Sequence, residues 1–262
     1  MTHRAKKRFG QNFLKDSNIL KKIVQAANIK QKNVVEIGPG KGALTAFLAE
    51  EALTVIAYEI DTSLKRHLDP LQEEHPNLNI VYQDFMKADL TSIKPDSHIV
   101  ANVPYYITTP IIFKFLETDT LQSATMMIQK EVQERLNAVP NTKAYNHLTV
   151  TISYLTEIKK VMDVKRHLFT PRPNVDSAVV QLIKKETREL APDQEARFFE
   201  LVRAAFKQKR KTLINNWHEA FQIDKETLKA YLLSYHLSEH VRAEQLPLEK
   251  YIELTKGWVY GL

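Results

Sequence analysis

The segment Asn33-Val-Val-Glu-Ile-Gly-Pro-Gly-Lys-Gly42 decides the fold of this chain. A short β-branched run enters a glycine-rich turn, and a helical pattern begins directly afterwards at Ala43. Glycine lets the backbone turn tightly against a bound nucleoside, so the pattern predicts a strand, a ligand-binding loop and a helix. Gly38, Gly40 and Ala43 also satisfy the dinucleotide fingerprint G-x-G-x-x-A, which keeps an NAD enzyme open. A structural turn without a ligand is the other alternative.

Strand-like and helix-like segments alternate around this loop through the first two thirds of the chain. Regular alternation of short β-branched runs with amphipathic stretches predicts right-handed βαβ units and a parallel, doubly wound sheet. The predicted strands are Asn33–Ile37, Thr54–Tyr58, Leu78–Tyr82, His98–Ala101 and Ala124–Ile128, and the helices between them include Ala43–Glu50 and Ser63–Glu74.

The later sequence predicts an addition to the sheet and then a helical region. Glu157–Val164 and Ala178–Lys184 bracket a loop and predict an antiparallel addition at the sheet edge. Leu148–Leu155 is ambiguous, because its β-branched residues favour a strand while its place in the alternation favours a helix. The polar stretch Glu186–Asp193 predicts a linker. The predicted α/β chain therefore has a Rossmann-like catalytic domain at 1–186, including a basic arm at 1–15, and a small helical domain at 187–262.

Composition excludes several kinds of site. The 262 residues include no cysteine, which excludes disulfides, thiolate zinc sites and thiol catalysis. His236 and His240 have the i,i+4 spacing of a helical zinc motif, but no third ligand lies nearby, so we expect a solvated helix face and no metal. The sequence has no apolar leader and no long apolar run. We expect a cytoplasmic monomer with no membrane partner.

The distribution of basic residues points to an anionic partner more clearly than the net charge of +6 does. Before the first acid, Asp16, the chain has five cations: Arg4, Lys6, Lys7, Arg8 and Lys15. A second acid-free stretch, 201–218, contains Arg203, Lys207, Lys209, Arg210 and Lys211. Two separated basic segments predict a surface that follows a nucleic-acid backbone. A solvated charged face is the alternative for either segment alone.

Polar side chains follow the ends of four predicted strands. Glu36 lies next to the end of the first, with Gly38 just beyond it, and Glu59, Asp84 and Asn102 follow the next three. The carboxyl ends of parallel strands meet in one crevice, where ligands bind in such sheets. Glu59 can accept hydrogen bonds from ribose hydroxyls, and Asp84 can accept one from an adenine amine. An acid-rich crevice suits a sulfonium and not a pyrophosphate, which favours S-adenosylmethionine over NAD.

The segment Asn102-Val-Pro-Tyr105 indicates methyl transfer to an adenine amine. That nitrogen is a weak nucleophile, because its lone pair is delocalised into the ring. The Asn102 side-chain oxygen and the Pro104 backbone carbonyl can hold its N–H groups, while Tyr105 stacks on the base. No strong base is required, because a sulfonium is a good methyl donor. A plain strand-ending turn is the alternative.

Seven segments occur in one order along nearly the whole chain: Arg8–Leu14, Val35–Gly40, Tyr58–Asp61, Asn102–Tyr105, Phe169–Pro173, Val175–Ser177 and Ala205–Thr212. Together they resemble the KsgA-type ribosomal RNA adenine dimethyltransferases. The resemblance implies that Phe169 forms the second wall of the adenine pocket. It implies a substrate as well, two adjacent adenosines near the 3′ end of 16S rRNA in the small ribosomal subunit, each methylated twice. It also implies that S-adenosylmethionine is contacted by Asn12, Leu14, Gly38, Glu59, Asp84 and Asn102.

Two other functions remain open. The large-subunit rRNA adenine dimethyltransferases that confer macrolide resistance share the glycine loop, the Asn-x-Pro-Tyr segment and the Phe-x-Pro-x-Pro loop. Ala205–Thr212, followed by Leu213–Asn216, favours the small-subunit enzymes, because this predicted basic helix resembles their C-terminal domain. A non-catalytic RNA-binding or assembly factor with the same fold is the second alternative. The intact Asn102 and Tyr105 argue against it.

Overall fold

The structure, a computed structural model, describes Lys6 and residues 11–259. Its strands are β1 (Phe13–Leu14), β2 (Asn33–Ile37), β3 (Thr54–Tyr58), β4 (Leu78–Val81), β5 (Ser97–Asn102), β6 (Leu121–Gln129), β7 (Thr156–Val164), β8 (Phe169–Thr170) and β9 (Ser177–Lys184). Its helices are α1 (Ser17–Ala27), α2 (Ala43–Glu51), α3 (Lys65–Glu74), α4 (Thr108–Glu117), α5 (Lys130–Leu136), α6 (His147–Leu155), α7 (Pro192–Ala205), α8 (Leu213–Phe221), α9 (Lys225–Ser234) and α10 (Leu248–Lys256).

The central sheet has the strand order β4-β3-β2-β5-β6-β9-β7. The first five strands are parallel, and β9 runs antiparallel to β6. Ile37 at the end of β2 pairs with Tyr58 on β3 and with Ala101 on β5, so the carboxyl ends of these strands lie side by side. The predicted doubly wound sheet with an antiparallel addition is confirmed.

Helices bury the sheet because their apolar residues recur at helical spacing. Asp16 caps α1, and its side chain accepts hydrogen bonds from the backbone N–H groups of Asn18 and Ile19. The buried residues of α1 are Leu20, Ile23, Val24 and Ala27, which form one face of the helix. This face packs in the same core as β2 and β3, in which seven of the ten residues are buried and none is exposed, as expected for a parallel sheet.

The described residues divide into two compact units. One contains the residues up to Gln133 together with Glu157–Lys184, and the other contains Glu134–Thr156 together with the residues from Lys185. These units differ from the continuous domains predicted from the sequence, because Glu134–Thr156 groups with the helices that follow the sheet. The ambiguous segment within it is a helix, α6, which belongs to the second unit. Among the described residues, no helix has the length and apolar character needed to cross a membrane.

Two helix predictions in the second unit are wrong. His236 and His240 do not share a helix face, because α9 ends at Ser234 and His236 has a left-handed φ of 58°. Ala205 is the last residue of α7, and the rest of the basic segment, 206–212, is a loop and not a helix. Asn216 ends the preceding helix, because its side-chain amide donates to the carbonyls of Ala205 (2.8 Å) and Gln208 (3.1 Å).

Candidate active site

A cavity of about 300 Å³ opens at the carboxyl ends of β2, β3, β4 and β5. This is the place where parallel sheets bind their ligands, and the volume is at the lower end of the range for small-molecule pockets. The N-terminal segment 11–15 forms part of the wall. Eight residues predicted for cofactor or target binding line this cavity: Asn12, Leu14, Gly38, Glu59, Asp84, Asn102, Pro104 and Tyr105.

The glycine loop after β2 has a backbone conformation that is unfavourable for residues with a side chain. Gly40 and Gly42 have φ values of +62° and +84°, in the left-handed region that glycine adopts without strain. A Cβ at Gly42 would lie 2.2 Å from Leu71, and one at Gly40 would lie 3.0 Å from the ring of Phe13. The loop therefore needs glycine for both its backbone angles and its close packing.

Glu59 is fixed at the end of β3 by two backbone donors. Its Oε2 accepts a hydrogen bond from Gly40 N at 3.0 Å, and its Oε1 accepts one from Asp61 N at 2.8 Å. Burial raises the pKa of Glu59, while these backbone hydrogen bonds oppose the rise. The carboxylate is thereby held against the glycine loop, where it can accept from a ribose.

Glu36 is a cavity residue to which the sequence analysis gave no separate role. Its side chain is buried, and Oε2 has no hydrogen-bond partner in the described part of the chain. Burial raises the pKa of Glu36 to about 8; the Thr45 hydroxyl lowers it and the Glu59 carboxylate raises it further. A buried carboxyl group that lines a ligand cavity and has one oxygen without a partner is suited to balance the charge of a bound cation. The raised pKa of Glu36 follows from its burial, which the sequence does not reveal directly.

The turn after β4 presents Asp84 and Phe85 to the cavity. Asp84 Oδ1 accepts a hydrogen bond from Met86 N at 2.9 Å, which caps the 3₁₀ turn Phe85–Lys87. Phe85 packs edge-on against Tyr58, with 5.5 Å between the ring centroids. One carboxylate oxygen of Asp84 therefore orders the turn, and the other can accept from an adenine amine.

Two side chains of the N-terminal segment bind Asp61, which follows the end of β3. Asp61 accepts hydrogen bonds from Lys6 Nζ at 2.6 Å and from Gln11 Nε2 at 2.9 Å. Burial would raise the pKa of Asp61, but the hydrogen bonds from Lys6, Ser63 and Gln11 outweigh it and hold this pKa well below its usual value. These contacts place residues 11–15 against the cavity.

Asn102 is oriented by the same segment. Its side-chain Nδ2 donates to the backbone carbonyl of Asn12 at 3.3 Å. Because the amide nitrogen is used in this contact, Oδ1 points the other way and can accept from a substrate amine. The backbone carbonyl of Pro104 accepts a hydrogen bond from Ile107 N at 3.2 Å and, in a long contact of 3.5 Å, one from Thr108 Oγ1.

Tyr105 is positioned through its hydroxyl, which lies 2.7 Å from Ser177 Oγ at the start of β9. Ser177 is fully buried, and burial raises the pKa of Tyr105. The hydrogen bond thereby fixes the Tyr105 ring in the segment Asn102–Tyr105, which is predicted to hold the base. The sequence does not reveal this partner, because Ser177 is 72 residues away along the chain.

Phe169 lies in β8 and does not form part of the cavity wall. It pairs with Leu14 in a two-stranded antiparallel sheet formed by β1 and β8, and its side chain is buried in the core of the first unit. It is not among the residues that line the cavity. Its predicted place in the adenine pocket therefore stays a prediction.

The five predicted RNA-binding residues lie in the second unit. Arg203 is in the last turn of α7, and the others lie in the loop 206–212, which we call the basic loop. Glu219 on α8 pairs with Lys207 at 3.3 Å and with Lys211 at 3.0 Å. Lys209 and Arg210 are exposed and make no ion pair with any described residue. The basic loop thus offers two free cations and two that are partly neutralised.

Comparison with known proteins identifies the family. The sequence profile described as ribosomal RNA adenine dimethylase matches residues 2–257. The chain belongs to this family. The resemblance found in the sequence is confirmed, and the chain is an S-adenosylmethionine-dependent rRNA adenine dimethyltransferase. This finding argues further against the alternative of a non-catalytic assembly factor.

Two relatives named ribosomal RNA small subunit methyltransferase A match over nearly their whole length. The protein from Onion yellows phytoplasma (strain OY-M) is 48% identical over 265 residues, covering 98% of this chain and 97% of the relative. The protein from Bacillus mycoides (strain KBAB4) is 42% identical over 266 residues, covering 97% and 91%.

Two solved structures share the fold. A dimethyladenosine transferase from Plasmodium falciparum is similar with a TM-score of 0.79 and 30% identity, covering 92% of this chain and 95% of that one. The 23S rRNA methyltransferase ErmE is similar with a TM-score of 0.77 and 29% identity, covering 94% and 98%. The fold predicted from the sequence is confirmed by both.

Proposed function

We propose that this enzyme methylates the N6 amines of two adjacent adenosines near the 3′ end of 16S rRNA, within the small ribosomal subunit or its precursor. The observation that carries the chemistry is the convergence of Asn102, Tyr105, Glu59 and Asp84 on one cavity. Relatives named as small-subunit enzymes reach 48% identity, compared with 29% for the 23S enzyme, which favours the small subunit. We expect it to act in the cytoplasm as a monomer, in small-subunit biogenesis.

S-adenosyl-L-methionine supplies an activated methyl group when bound, and the residues at the strand ends fit it. Glu59 can accept from the ribose hydroxyls, and Asp84 can accept from the adenine amine. Gly38 and the glycine loop leave room for close approach of the nucleoside, and Glu36 can balance a positive charge. Asn12 and Leu14 close the cavity from the N-terminal side.

The target amine is activated by orientation and not by a strong base. Asn102 Oδ1 and the Pro104 carbonyl, which gives up its long contact with Thr108 Oγ1, hold the two N–H groups, so that the nitrogen lone pair is freed from the ring. S-adenosylmethionine bound in the cavity would supply its methyl carbon to this nitrogen and leave as the neutral thioether. The nitrogen would then carry positive charge, which makes its N–H protons acidic, so that one is lost to solvent and a neutral methylated amine remains. Tyr105, fixed by Ser177, supports the plane of the base.

The high pKa of Glu36 predicts a proton linked to cofactor binding. Below about pH 8 the free protein holds Glu36 protonated. A bound cation lowers the pKa of this group, so S-adenosylmethionine binding near pH 7 should release a proton. Affinity should therefore rise with pH and level off above about pH 8. Calorimetry in buffers of different ionisation enthalpy measures the released protons.

The matched variant is Glu36→Gln, which keeps the volume and cannot ionise. This variant should release no proton from this site when S-adenosylmethionine binds, and its affinity for S-adenosylmethionine should not change across the same pH range. The folded pKa lies above the ordinary value, so Glu36 stabilises the cofactor-free wild type below about pH 4.5, and that contribution is lost as pH rises to about 8. Glu36→Gln should lack this decline in the free energy of unfolding. Equal proton release by both proteins would show that Glu36 does not face the cation.

We further propose that the basic loop and Arg203 contact rRNA phosphates. The free cations Lys209 and Arg210 should contribute most, because Glu219 partly neutralises Lys207 and Lys211. Lys209→Gln should weaken RNA binding and reduce the magnitude of the salt slope by about one unit. A salt titration of binding to a 16S rRNA fragment gives this slope.

The control for that experiment is Lys225→Gln, which removes an exposed lysine at the start of α9 in the same unit. It should leave the slope as in the wild type. Glu219→Gln should steepen the slope slightly, because it frees two cations for phosphate. A slope unchanged after removal of all four basic-loop charges would assign these residues to solubility alone.

The choice of subunit can be tested separately. Small and large subunits that lack the methylation are incubated with the enzyme and labelled S-adenosylmethionine. We expect label in 16S rRNA of the small subunit and none in 23S rRNA. Label confined to the large subunit would show that the large-subunit alternative is correct.

A further inference from the structure

Lys114 on α4 makes an unusual set of contacts with the turn after β4. Its Nζ donates hydrogen bonds to three backbone carbonyls, those of Phe85 (2.8 Å), Met86 (3.0 Å) and Ala88 (2.8 Å). The same ammonium lies 5.2 Å from the centre of the Phe85 ring. All three donors of the ammonium are thus used on one short turn.

The turn is closed at both of its ends. Asp84 caps the N-terminal end through Oδ1, and Lys114 binds the carbonyls at the C-terminal end, where a positive charge is favourable. Desolvation lowers the pKa of Lys114, and the carboxylates of Asp84 and Asp89 oppose this change. The ammonium group is therefore committed to the carbonyls of this turn and is poorly placed to bind an external phosphate.

The two faces of this turn have different surroundings. Asp84, Phe85 and Met86 line the cofactor cavity, whereas Lys114 does not. Lys114 instead lines a separate open depression with Asp89 and Phe113. The lysine consequently acts on the cavity only through the turn.

We propose that Lys114 is a positioning residue that sets how the enzyme recognises the adenine of S-adenosylmethionine. By holding the carbonyls of the Phe85–Lys87 turn, it fixes the direction in which Asp84 presents its second carboxylate oxygen and the position of the Phe85 ring. Selectivity for a purine with a 6-amino group then depends on Lys114. This inference rests on the proposed role of Asp84 as the acceptor for that amine.

The test uses Lys114→Met, which keeps the length of the side chain and removes every donor. Binding of S-adenosylhomocysteine is compared with binding of its inosine counterpart, in which oxygen replaces the 6-amino group. We expect the variant to lose about 10-fold to 100-fold in affinity for the adenosine compound, the range for hydrogen bonds to a charged group. Affinity for the inosine compound should change much less. The methyl-transfer rate at saturating donor should stay near the wild-type value.

Lys184 provides a matched control in the same unit. Its Nζ donates to the carbonyl of Thr118 at 2.7 Å and lies 5.1 Å from the centre of the Phe115 ring, so its chemistry resembles that of Lys114. It contacts no residue of the cofactor turn in these two interactions. Lys184→Met should bind both compounds as the wild type does. Equal loss of affinity in both variants would assign the effect to general stability and overturn the inference.

Asp84→Asn separates this inference from the proposed site. If Asp84→Asn binds both compounds like the wild type, the proposed role of Asp84 is wrong. If it loses selectivity while Lys114→Met retains it, only the inference about Lys114 is overturned. Should Lys114→Met fail to fold, Lys114→Gln replaces it, since an amide can make at most two of the three donations and carries no charge. We expect Lys114→Gln to lose selectivity as well, but to a smaller extent than Lys114→Met. Wild-type selectivity in Lys114→Gln would overturn the inference.

Discussion

Replacing Asn102 by alanine should slow methyl transfer by on the order of 10²-fold to 10³-fold, roughly 3 to 4 kcal/mol of activation free energy, by analogy with removal of one oxyanion-hole donor. The amide is already oriented, because Nδ2 donates to the Asn12 carbonyl. The Oδ1 contact strengthens as the target nitrogen gains positive charge, so it stabilises the transition state more than the ground state. The rate constant should therefore fall much more than RNA affinity does.

The measurement is a single-turnover reaction at saturating S-adenosylmethionine, because Asn102 also lines the cofactor cavity. The control is Asn79→Ala, which removes an exposed asparagine from β4 of the same sheet. That variant should react at the wild-type rate. If Asn102→Ala also transfers methyl groups at the wild-type rate, the proposed role of this segment is wrong.

Glu59→Gln should weaken S-adenosylmethionine binding by about 100-fold or more, since each hydrogen bond from a ribose hydroxyl to a charged acceptor contributes about 1.5 to 3 kcal/mol. The carboxylate also accepts from Gly40 N and Asp61 N. An amide has one oxygen and cannot accept both donors in this geometry, so the glycine loop loses a support as well. Calorimetry with the purified variant measures the loss.

Glu50→Gln is the matched control, because Glu50 is an exposed residue of α2. It should bind the cofactor as the wild type does. The same experiment separates the two cofactors that the glycine fingerprint left open, since we expect no tight binding of NAD. Near-wild-type affinity in Glu59→Gln would mean that the ribose is held elsewhere.

The sheet and the strand-end residues could be predicted because their signals are local. Each parallel strand is a short β-branched run, and each ends in a polar residue that topology brings to the same edge. The placement of Glu59, Asp84 and Asn102 around one cavity could therefore be predicted without any knowledge of the tertiary structure. Local patterns of this kind predict which residues face a site, although they do not predict the hydrogen-bond partners that orient each side chain.

The remaining features depend on contacts between distant residues. Leu14 pairs with Phe169 in strands only two residues long, which carry no periodic signal. Ser177 reaches Tyr105 across 72 residues. The helix predicted at the basic loop is wrong because Asn216, which follows it in the chain, takes the carbonyls that would continue α7. Tertiary hydrogen bonds overrode helix propensity there.

The identity and position of the methylated nucleoside test the central claim most directly. Small subunits lacking the modification are incubated with the enzyme and S-adenosylmethionine, and their 16S rRNA is then digested and analysed by mass spectrometry. We predict N6,N6-dimethyladenosine at two adjacent positions near the 3′ end, and far less product with Asn102→Ala at the same reaction time. Methylation of another base, or at the ring nitrogen or ribose of adenosine, would contradict the account.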